Sequence, residues 1–380
     1  MLQADTESIA ARLKRDVLEP MKRDFIGKEE IVDLLGVALI GGENLFILGP
    51  PGTAKSALVQ SLGQRLHGET FAYLLTRFTE PNELFGPFDI RKLREGELTT
   101  NTDGMLTEAS LVFLDELLNA NSAILNSLLS ALNERVVHRG RERIPVQALM
   151  FAGASNHLPE DDALNALFDR FLLRVHCDNV ASEQLTQVLE SGWRMEHATT
   201  KSSGLSFSEI RQAQKLAGEV SLEAVRPAYA TLVHRIRHAG IRVSDRRAVK
   251  IQRVVAASAL LCGRTEARES DLWVFRYIWD SEDQQEVLRA LVREAVSKDE
   301  DSAERHPLAD GASVPDAEAL ARDLEWLAGQ TTEKTEPADR AFLRDRLSIL
   351  DGRVQWVRDA VHREHLSGKV KALWQGLGKS

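Results

Sequence analysis

One stretch of eight residues constrains the fold more than any other part of the sequence: Gly49-Pro50-Pro51-Gly52-Thr53-Ala54-Lys55-Ser56. A short apolar run, residues 44–48, precedes it, and a helix-forming run, residues 57–62, follows it. This order predicts a strand, a glycine-rich turn and a helix. Backbone N–H groups of such a turn can point at a phosphate chain, and the helix dipole adds positive potential. The stretch therefore predicts a loop that binds nucleotide phosphates.

The last three residues of this stretch carry specific expectations. Lys55 is placed to reach the β- and γ-phosphates, and the Ser56 hydroxyl is placed to ligate Mg²⁺. The strict pattern has glycine immediately before the lysine, where this sequence has Ala54. Alanine costs little there if the backbone is already helical, whereas glycine is favoured if φ is positive.

A second apolar run, residues 111–114, ends in the two carboxylates Asp115 and Glu116. Four apolar residues in a row suit a buried parallel strand, and open α/β sheets bind ligands at the carboxyl ends of such strands. Asp115 is predicted to hold Mg²⁺ through water, and Glu116 to polarise the attacking water. An apolar run that ends in Asp-Glu is common, but this one follows Lys55 within the same α/β unit.

Two further polar residues stand at the ends of predicted elements. Asn156 follows a predicted strand, residues 148–154, and could contact the γ-phosphate or position the water. A turn residue is the plainer interpretation of Asn156 taken alone. Arg170 follows the helix predicted over 163–168 and could be only a solvated charge near the helix end.

Together these residues resemble the AAA+ ATPases, and within them the MoxR family, most closely its RavA-like branch. The resemblance covers about residues 20–280. The octet matches the Walker A loop, in which alanine before the lysine is familiar among MoxR-like proteins, and residues 111–116 match Walker B. Asn156 matches sensor 1, and Arg170 matches the arginine finger, which acts on a neighbour's nucleotide. The implied fold class is α/β, an AAA+ P-loop αβα sandwich with a parallel sheet, followed by an all-α lid domain and a C-terminal helical accessory region.

The resemblance extends to the sensor 2 segment, which matches residues 243–247. Arg246 stands in the expected place and would reach the γ-phosphate of the same subunit. Asp245 replaces the usual proline of the MoxR pattern, so Arg247 stays an alternative. The predicted nucleotide-binding residues include two more, at the break before the second predicted helix: Ile26 and Gly27.

Four regions are expected along the chain. They are a nucleotide-binding core over 1–181, an α-helical lid over 182–296, a linker over 297–315 and a helical accessory domain over 316–380. The C-terminal helical accessory domain is expected to pack on the N-terminal helix, within residues 1–20, or on the lid. Within the core, residues 76–106, with a hairpin expected around Glu95-Gly96, correspond to a helix-2 insert, and the hairpin 135–147 corresponds to a pre-sensor-1 insert.

Composition restricts the function classes. The chain has 380 residues and is 43% hydrophobic, which allows two or three domains. It has no apolar run long enough to span a membrane and no secretory signal within residues 1–19. Cys177 and Cys262 lack metal-site spacing, so we expect core thiols in a reducing cytoplasm. The net charge of −9 disfavours nonspecific binding of nucleic acid.

The expected function is a ring-forming, Mg²⁺-dependent ATPase, a hexamer by resemblance, that binds ATP or ADP and remodels or matures a partner protein. MoxR-like ATPases often act with a von Willebrand factor A-domain protein, so such a partner is implied. Two alternatives stay open. A nucleotide-dependent scaffold with little turnover would not need Glu116. A nucleic-acid motor could use a basic strip made of Arg139, Arg141, Arg143, Arg235, Arg237 and Arg242.

Overall fold

The computed structural model describes residues 9–95, 99–139, 142–159, 162–180, 184–197, 204–297, 305–310 and 317–330, and in the last region residues 340, 343, 344, 347, 350, 354 and 360–378. Within these residues, every helix is too short or too polar to span a bilayer.

Five parallel strands form the central sheet in the order β2-β3-β6-β1-β7. Their bounds are β1 Leu45–Leu48, β2 Thr70–Leu74, β3 Leu111–Asp115, β6 Met150–Ser155 and β7 Leu173–His176. Every residue of β1 and of β6 is buried. Because successive side chains of a strand point to opposite faces of the sheet, both faces of the sheet are covered at these two strands. Since all strands run the same way, their carboxyl ends share one edge, the carboxyl edge, and their starts share the amino edge. The predicted α/β class is confirmed.

Helices precede, connect and cover the strands of the sheet. They are α1 over residues 9–24, which includes a π-helical stretch Leu13–Leu18, then α2 Glu29–Gly41, α3 Lys55–Arg65, α4 Pro81–Phe85, α5 Ile90–Arg94, α6 Ser122–Glu134 and α7 Asp162–Phe168. A side-chain cap fixes the start of α6. The side-chain oxygen of Asn121 accepts hydrogen bonds from the backbone N–H groups of Ala123 and Ile124, each at 3.1 Å.

The two segments predicted as inserts differ in structure. In the first, one antiparallel bridge joins Phe88 to Thr100, and α5 replaces the strands of the expected hairpin. The helix forms here because the side chain of Asp89 caps its start. The carboxylate of Asp89 accepts hydrogen bonds from the backbone N–H groups of Arg91 and Lys92. Gly96, in the expected turn, lies outside the described residues. The second insert is a hairpin as predicted, with β4 Val136–Arg139 paired to β5 Glu142–Pro145.

Residues 184–297, which we call the lid, are mostly helical. They contain α8 Leu185–His197, α9 Phe207–Ala217, α10 Arg226–His238, α11 Asp245–Leu261, a 3₁₀ helix Glu269–Tyr277 and α12 Gln284–Val296. The 3₁₀ helix stands where an α-helix was predicted. The buried apolar side chains of the lid and of the sheet region form a single cluster. An ion pair between Lys250 of α11 and the buried Glu43, at 3.2 Å, also joins them.

Residues 305–310 correct the expectation of a linker over 297–315. His306 is buried, and its ring stacks on Trp273 with centroids 4.5 Å apart. The guanidinium of Arg276 donates to the carbonyl oxygens of Leu308 and Ala309, the latter at 2.9 Å. Burial lowers the pKa of His306 to about 3, so the ring is neutral near pH 7. This turn is anchored on the lid because Leu308 and Ala309 bury apolar surface there.

The C-terminal region has a smaller apolar cluster of its own. It contains α13 Ala317–Gln330 and α14 Ala360–Gly378, which contact each other. Its buried members are Leu320, Leu324, Leu327, Leu343, Leu347, Leu350, Val354, Leu366 and Val370. The apolar side chains of α1 belong instead to the cluster of the sheet region, where Leu18 lies against Gly36 of α2. Among the described residues, the predicted packing of the N-terminal helix on the C-terminal helices is therefore not observed, because α2 covers it.

Candidate functional site

The loop of residues 49–56, called the phosphate loop for its predicted role, follows β1 at the carboxyl edge. A Cβ atom at Gly49 would stand 2.2 Å from the carbonyl oxygen of Cys177, so only glycine fits there. Gly52 has a φ of +82°, which glycine adopts without strain. The thiol of Cys177, just after β7, donates to the carbonyl oxygen of Thr53 at 3.1 Å. The end of β7 thus supports the loop from the side.

Ala54 stands where the strict pattern has glycine, and its backbone is left-handed, with φ +70° and ψ +20°. The helical alternative considered from the sequence is therefore wrong. For a residue with a Cβ atom this conformation costs about 1–2 kcal/mol, because Cβ approaches the following carbonyl oxygen. The loop accordingly stores strain beside the lysine.

We expect Ala54→Gly to raise the free energy of unfolding by up to about 1 kcal/mol, because relief of the strain exceeds the added chain entropy of glycine. Urea denaturation of both proteins measures the change. The matched control is Ala57→Gly in the first turn of α3, where the helical backbone makes glycine destabilising by about 1 kcal/mol. Equal destabilisation by both substitutions would contradict the prediction.

The ammonium group of Lys55 is buried and has three oxygen acceptors. It donates to the carbonyl oxygens of Gly49 and Pro50, at 2.5 and 2.9 Å, and to the side-chain oxygen of Asn156 at 2.9 Å. An ammonium group has three donors, so the loop and Asn156 together use all of them. Two residues predicted from different parts of the sequence, Lys55 and Asn156, are thus in direct contact.

Ser56 and Asp115 also meet at this edge. The Ser56 hydroxyl donates to Oδ2 of Asp115 at 2.7 Å. A hydroxyl and a carboxylate are oxygen ligands of the kind that Mg²⁺ prefers, and Mg²⁺ keeps several waters and uses few protein ligands. Among the described residues no group of three or more His, Cys, Asp and Glu side chains could hold a metal. The Ser56–Asp115 pair therefore fits Mg²⁺ bound together with phosphate oxygens.

Two amide groups hold the carboxylate of Glu116. Nδ2 of Asn156 donates to one oxygen at 2.6 Å, and Nδ2 of Asn119 donates to the other at 3.3 Å. The backbone of Glu116 is left-handed, with φ +50° and ψ +41°. Strained backbone of this kind persists where the surroundings fix it, often at functional sites. Asn156 bridges Lys55 and Glu116 and orients both.

A cavity of about 260 Å³ opens beside the phosphate loop. Its wall includes Gly49 and Pro50 of the loop, Asn156 after β6, Asp178 after β7 and Glu282 of the lid. This places three strand ends and one lid residue around the same space. The cavity is partly open to solvent.

Ile26 and Gly27 lie near the chain that leaves β7. Gly27 has a φ of +71°, and a Cβ atom there would be 2.9 Å from the side chain of Val180. The ammonium of Lys28 donates to the carbonyl oxygen of Asp178, which lines the cavity. The position next to the cavity is consistent with the predicted contact to nucleotide, which stays a prediction.

Arg170 lies away from this site. Its carbonyl oxygen accepts a hydrogen bond at 3.0 Å from Asn44, which directly precedes β1. The phosphate loop follows the other end of β1, about 13 Å away at the usual rise per strand residue. Arg170 is therefore at the amino edge, where it cannot reach the phosphate loop of its own subunit. That it serves a neighbour stays a prediction.

Arg246 lies near the amino edge. Its guanidinium donates to Asn133 at 3.0 Å, and Arg135, two residues further along the chain, donates to Asn44 at the amino edge. The packing of α11 against α2 holds Arg246 there, away from the phosphate loop of its own subunit, and its predicted contact with nucleotide stays a prediction. Arg247 is buried and contacts Asp280 at 3.0 Å, which assigns it to packing within the lid.

Sequence reasoning missed several residues that the site uses. Asn119 is a polar residue directly after the apolar pair Leu117-Leu118, close to Glu116 in the sequence. This pattern could have indicated a side chain near the site. Cys177 was predicted to be a core residue, and it is buried, which raises the pKa of its thiol. Its contact with Thr53 depends on how β7 lies beside β1, and no local pattern encodes that arrangement.

Comparison with known proteins places this geometry in a family. A family model described as "MoxR domain in the MoxR-vWA-beta-propeller ternary systems" matches residues 11–215, and one described as "AAA lid domain" matches residues 224–292. Two uncharacterized proteins of Methanocaldococcus jannaschii, MJ0079 and MJ0812, are each 34% identical to this chain. The first alignment covers 74% of both chains, and the second covers 70% of this chain and 72% of the relative. Chaperone MoxR1 of Mycobacterium tuberculosis is 25% identical over 48% of this chain and 49% of its own.

A solved structure supports the fold. It is a candidate ATPase from Cytophaga hutchinsonii, with a TM-score of 0.63 and 17% identity, and the match covers 76% of this chain and 96% of that chain. The RavA-like branch is not tested by these matches and stays a prediction. The MoxR model covers more than half of the chain. By these matches the chain belongs to the MoxR family of AAA+ ATPases, with an α/β nucleotide-binding fold and a helical lid.

Proposed function

We propose that the protein is a ring-forming, Mg²⁺-dependent ATPase that couples ATP hydrolysis to remodelling or maturation of a partner protein. One observation carries the proposal. Lys55, Asn156 and Glu116 form a continuous hydrogen-bonded chain at the carboxyl edge, with Ser56 and Asp115 beside it. Phosphoryl transfer needs positioning and electrostatic stabilisation more than covalent chemistry, and this arrangement supplies both.

Each group has a role in this proposal. The backbone of the phosphate loop and Lys55 would bind the phosphates of ATP, and Ser56 and Asp115 would hold Mg²⁺, directly or through water. Bound Mg²⁺ would neutralise charge on the phosphates. Glu116 would orient and polarise the attacking water, while Asn156 keeps that carboxylate at a fixed distance from Lys55.

The positions of Arg170 and Arg246 support a ring. Both lie at the amino edge, away from the phosphate loop of their own subunit. In a head-to-tail ring this edge of one subunit can face the carboxyl edge of the next. We infer that Arg170, and with it Arg246, completes the site of a neighbour. A hexamer is the form that the family resemblance suggests.

The partner proposal comes from the matched family. Its model is described by systems that join a MoxR domain to a vWA protein and a beta-propeller. We infer a von Willebrand factor A-domain protein as the partner of this chain. A chaperone-like role follows from the name of the mycobacterial relative, which is a chaperone.

The basic strip considered for a nucleic-acid motor has weak support. Arg139 is bonded to Asn82 and to the carbonyl oxygen of Gly86. The other two described pairs of the strip join an arginine to a carboxylate: Arg235 to Glu294 and Arg237 to Asp245. An arginine that is already paired with a carboxylate neutralises a phosphate less well. It therefore releases fewer counterions from the nucleic acid and adds little to the affinity.

The direct test of the phosphate loop is ATP binding by Lys55→Ala. Loss of a charge-assisted contact of about 1.5–3 kcal/mol should raise the Kd for ATP by roughly 10- to 100-fold. Fluorescent-nucleotide titration with Mg²⁺ measures this. Lys215→Ala, at an exposed lysine of α9, is the control. An unchanged Kd in Lys55→Ala would show that nucleotide binds elsewhere or not at all.

A further inference from the structure

A buried arginine joins the lid to the sheet. Arg174, in β7, is fully buried and donates to the carbonyl oxygens of Ile278 and Trp279, at 3.2 and 2.7 Å. It also pairs with the carboxylate of Asp280 at 2.9 Å. Burial lowers the pKa of Arg174 to about 9, which leaves the side chain charged near pH 7. An apolar side chain could fill this space without the cost of burying a charge, so stability alone does not explain why an arginine stands at this position.

One end of this network touches the nucleotide site of the same subunit. The ring of Trp279 stacks on His176, the last residue of β7, with centroids 4.9 Å apart. His176 and Glu282 both line the cavity beside the phosphate loop. The segment 278–282 therefore contacts the wall of that cavity directly, through Trp279 on His176 and through Glu282.

The other end touches the turn that carries Arg170. The second guanidinium nitrogen of Arg174 donates to the carbonyl oxygen of Phe168 at 3.1 Å, and the guanidinium lies 4.2 Å over the ring of Phe168. The same carbonyl oxygen accepts from the backbone N–H of Phe171 and closes the turn around Arg170. Among the described residues, the ion pair recorded for the Arg170 side chain is with its neighbour Asp169. The direction of Arg170 therefore depends on the turn.

We propose that Arg174 and Asp280 are a positioning pair, which links the nucleotide cavity of a subunit to the arginine that this subunit supplies to its neighbour. Arg174 does not touch the reacting atoms and acts through Phe168 and the turn. The inference rests on the proposed function, in which Arg170 completes the site of the next subunit. It adds a route by which the nucleotide state of one site can alter the rate at the next.

A mixing experiment isolates the supplied arginine. Recipient subunits carry Arg170→Ala and keep an intact hydrolytic site. Donor subunits carry Glu116→Gln, cannot hydrolyse ATP and keep Arg170. Each variant is inactive alone, and activity in the mixture comes from recipient sites completed by donors. The positioning pair is then changed only in the donor, by Arg174→Lys, which keeps the charge but cannot bridge both ends.

We expect Arg174→Lys in the donor to lower the restored activity by about 10- to 100-fold, because small misplacement of a positioned group costs this much. Assembly of the donor should be unchanged, and the assay is run at an ATP concentration that saturates the donor. Asp280→Asn is the second variant if Arg174→Lys does not fold, because the amide keeps the shape of the side chain and removes the charge that pairs with Arg174 and Arg247. Asp271→Asn is the control, because it breaks a buried ion pair with Arg264 that lies elsewhere in the lid.

The outcomes separate the two proposals. Restoration by the parent donor and its loss with the Arg174 or Asp280 variant support the positioning pair. Equal restoration by variant and parent donors overturns the positioning pair and leaves the proposed function intact. An equal loss with Asp271→Asn also overturns it, because the effect would then be a general weakening of the lid. No restoration by the parent donor overturns the neighbour-supplied arginine and this inference with it.

Discussion

Arg170→Ala is expected to lower kcat by about 10³–10⁵-fold, the range that an arginine finger contributes, or about 4–7 kcal/mol of transition-state stabilisation. The Kd for ATP should change little, because Arg170 lies at the amino edge, away from the phosphate loop of its own subunit. An arginine finger stabilises charge that develops only in the transition state. Its loss should therefore lower kcat and leave the affinity for ATP nearly unchanged.

Steady-state ATPase assays with Mg²⁺ and nucleotide titration measure these two quantities. Arg226→Ala, at an exposed arginine of α10, is the matched control and should leave both unchanged. Random mixing of Arg170→Ala with Glu116→Gln should restore activity to about a quarter of the wild-type value, because half of the subunits keep a hydrolytic site and half of those face an intact finger in a closed ring. An inactive mixture of assembled subunits would place the finger elsewhere.

Glu116→Gln is expected to lower kcat by about 10²–10⁴-fold, the usual contribution of a general base, while ATP stays bound. The glutamine keeps the shape of the side chain and can still contact Asn156 and Asn119, so the fold of the site should persist. It cannot polarise the water as a carboxylate does. The variant should therefore accumulate the complex with unhydrolysed ATP.

Single-turnover measurement with radiolabelled ATP follows both the bound nucleotide and its cleavage. Glu219→Gln, at an exposed glutamate of the lid, controls for loss of charge. Normal turnover by Glu116→Gln would assign the base to another residue. Loss of ATP binding would instead mean that Glu116 holds the site together and has no separate role in the chemistry.

The carboxyl-edge site was largely predictable because its residues stand at strand ends. Apolar runs located β1, β3 and β6, and parallel strands bring their following residues to one edge. Lys55, Asp115 and Asn156 could be assigned from that rule together with the family resemblance. Asn119 could have been added to them by the same reasoning.

Features that depend on packing between distant segments were not predictable. The left-handed backbone of Ala54 follows from the turn as a whole, and the residue type alone disfavours it. The position of Arg246 depends on how α11 lies along α2. Likewise the network around Arg174 joins β7 to residues about a hundred positions later, so neither periodicity nor spacing indicates it.

The anchored turn at residues 305–310 limits how far the C-terminal helices can travel. Six residues, 311–316, connect it to α13, and a fully extended chain of six residues spans at most about 22 Å. The start of α13 therefore lies within about that distance of the turn that the lid holds in place.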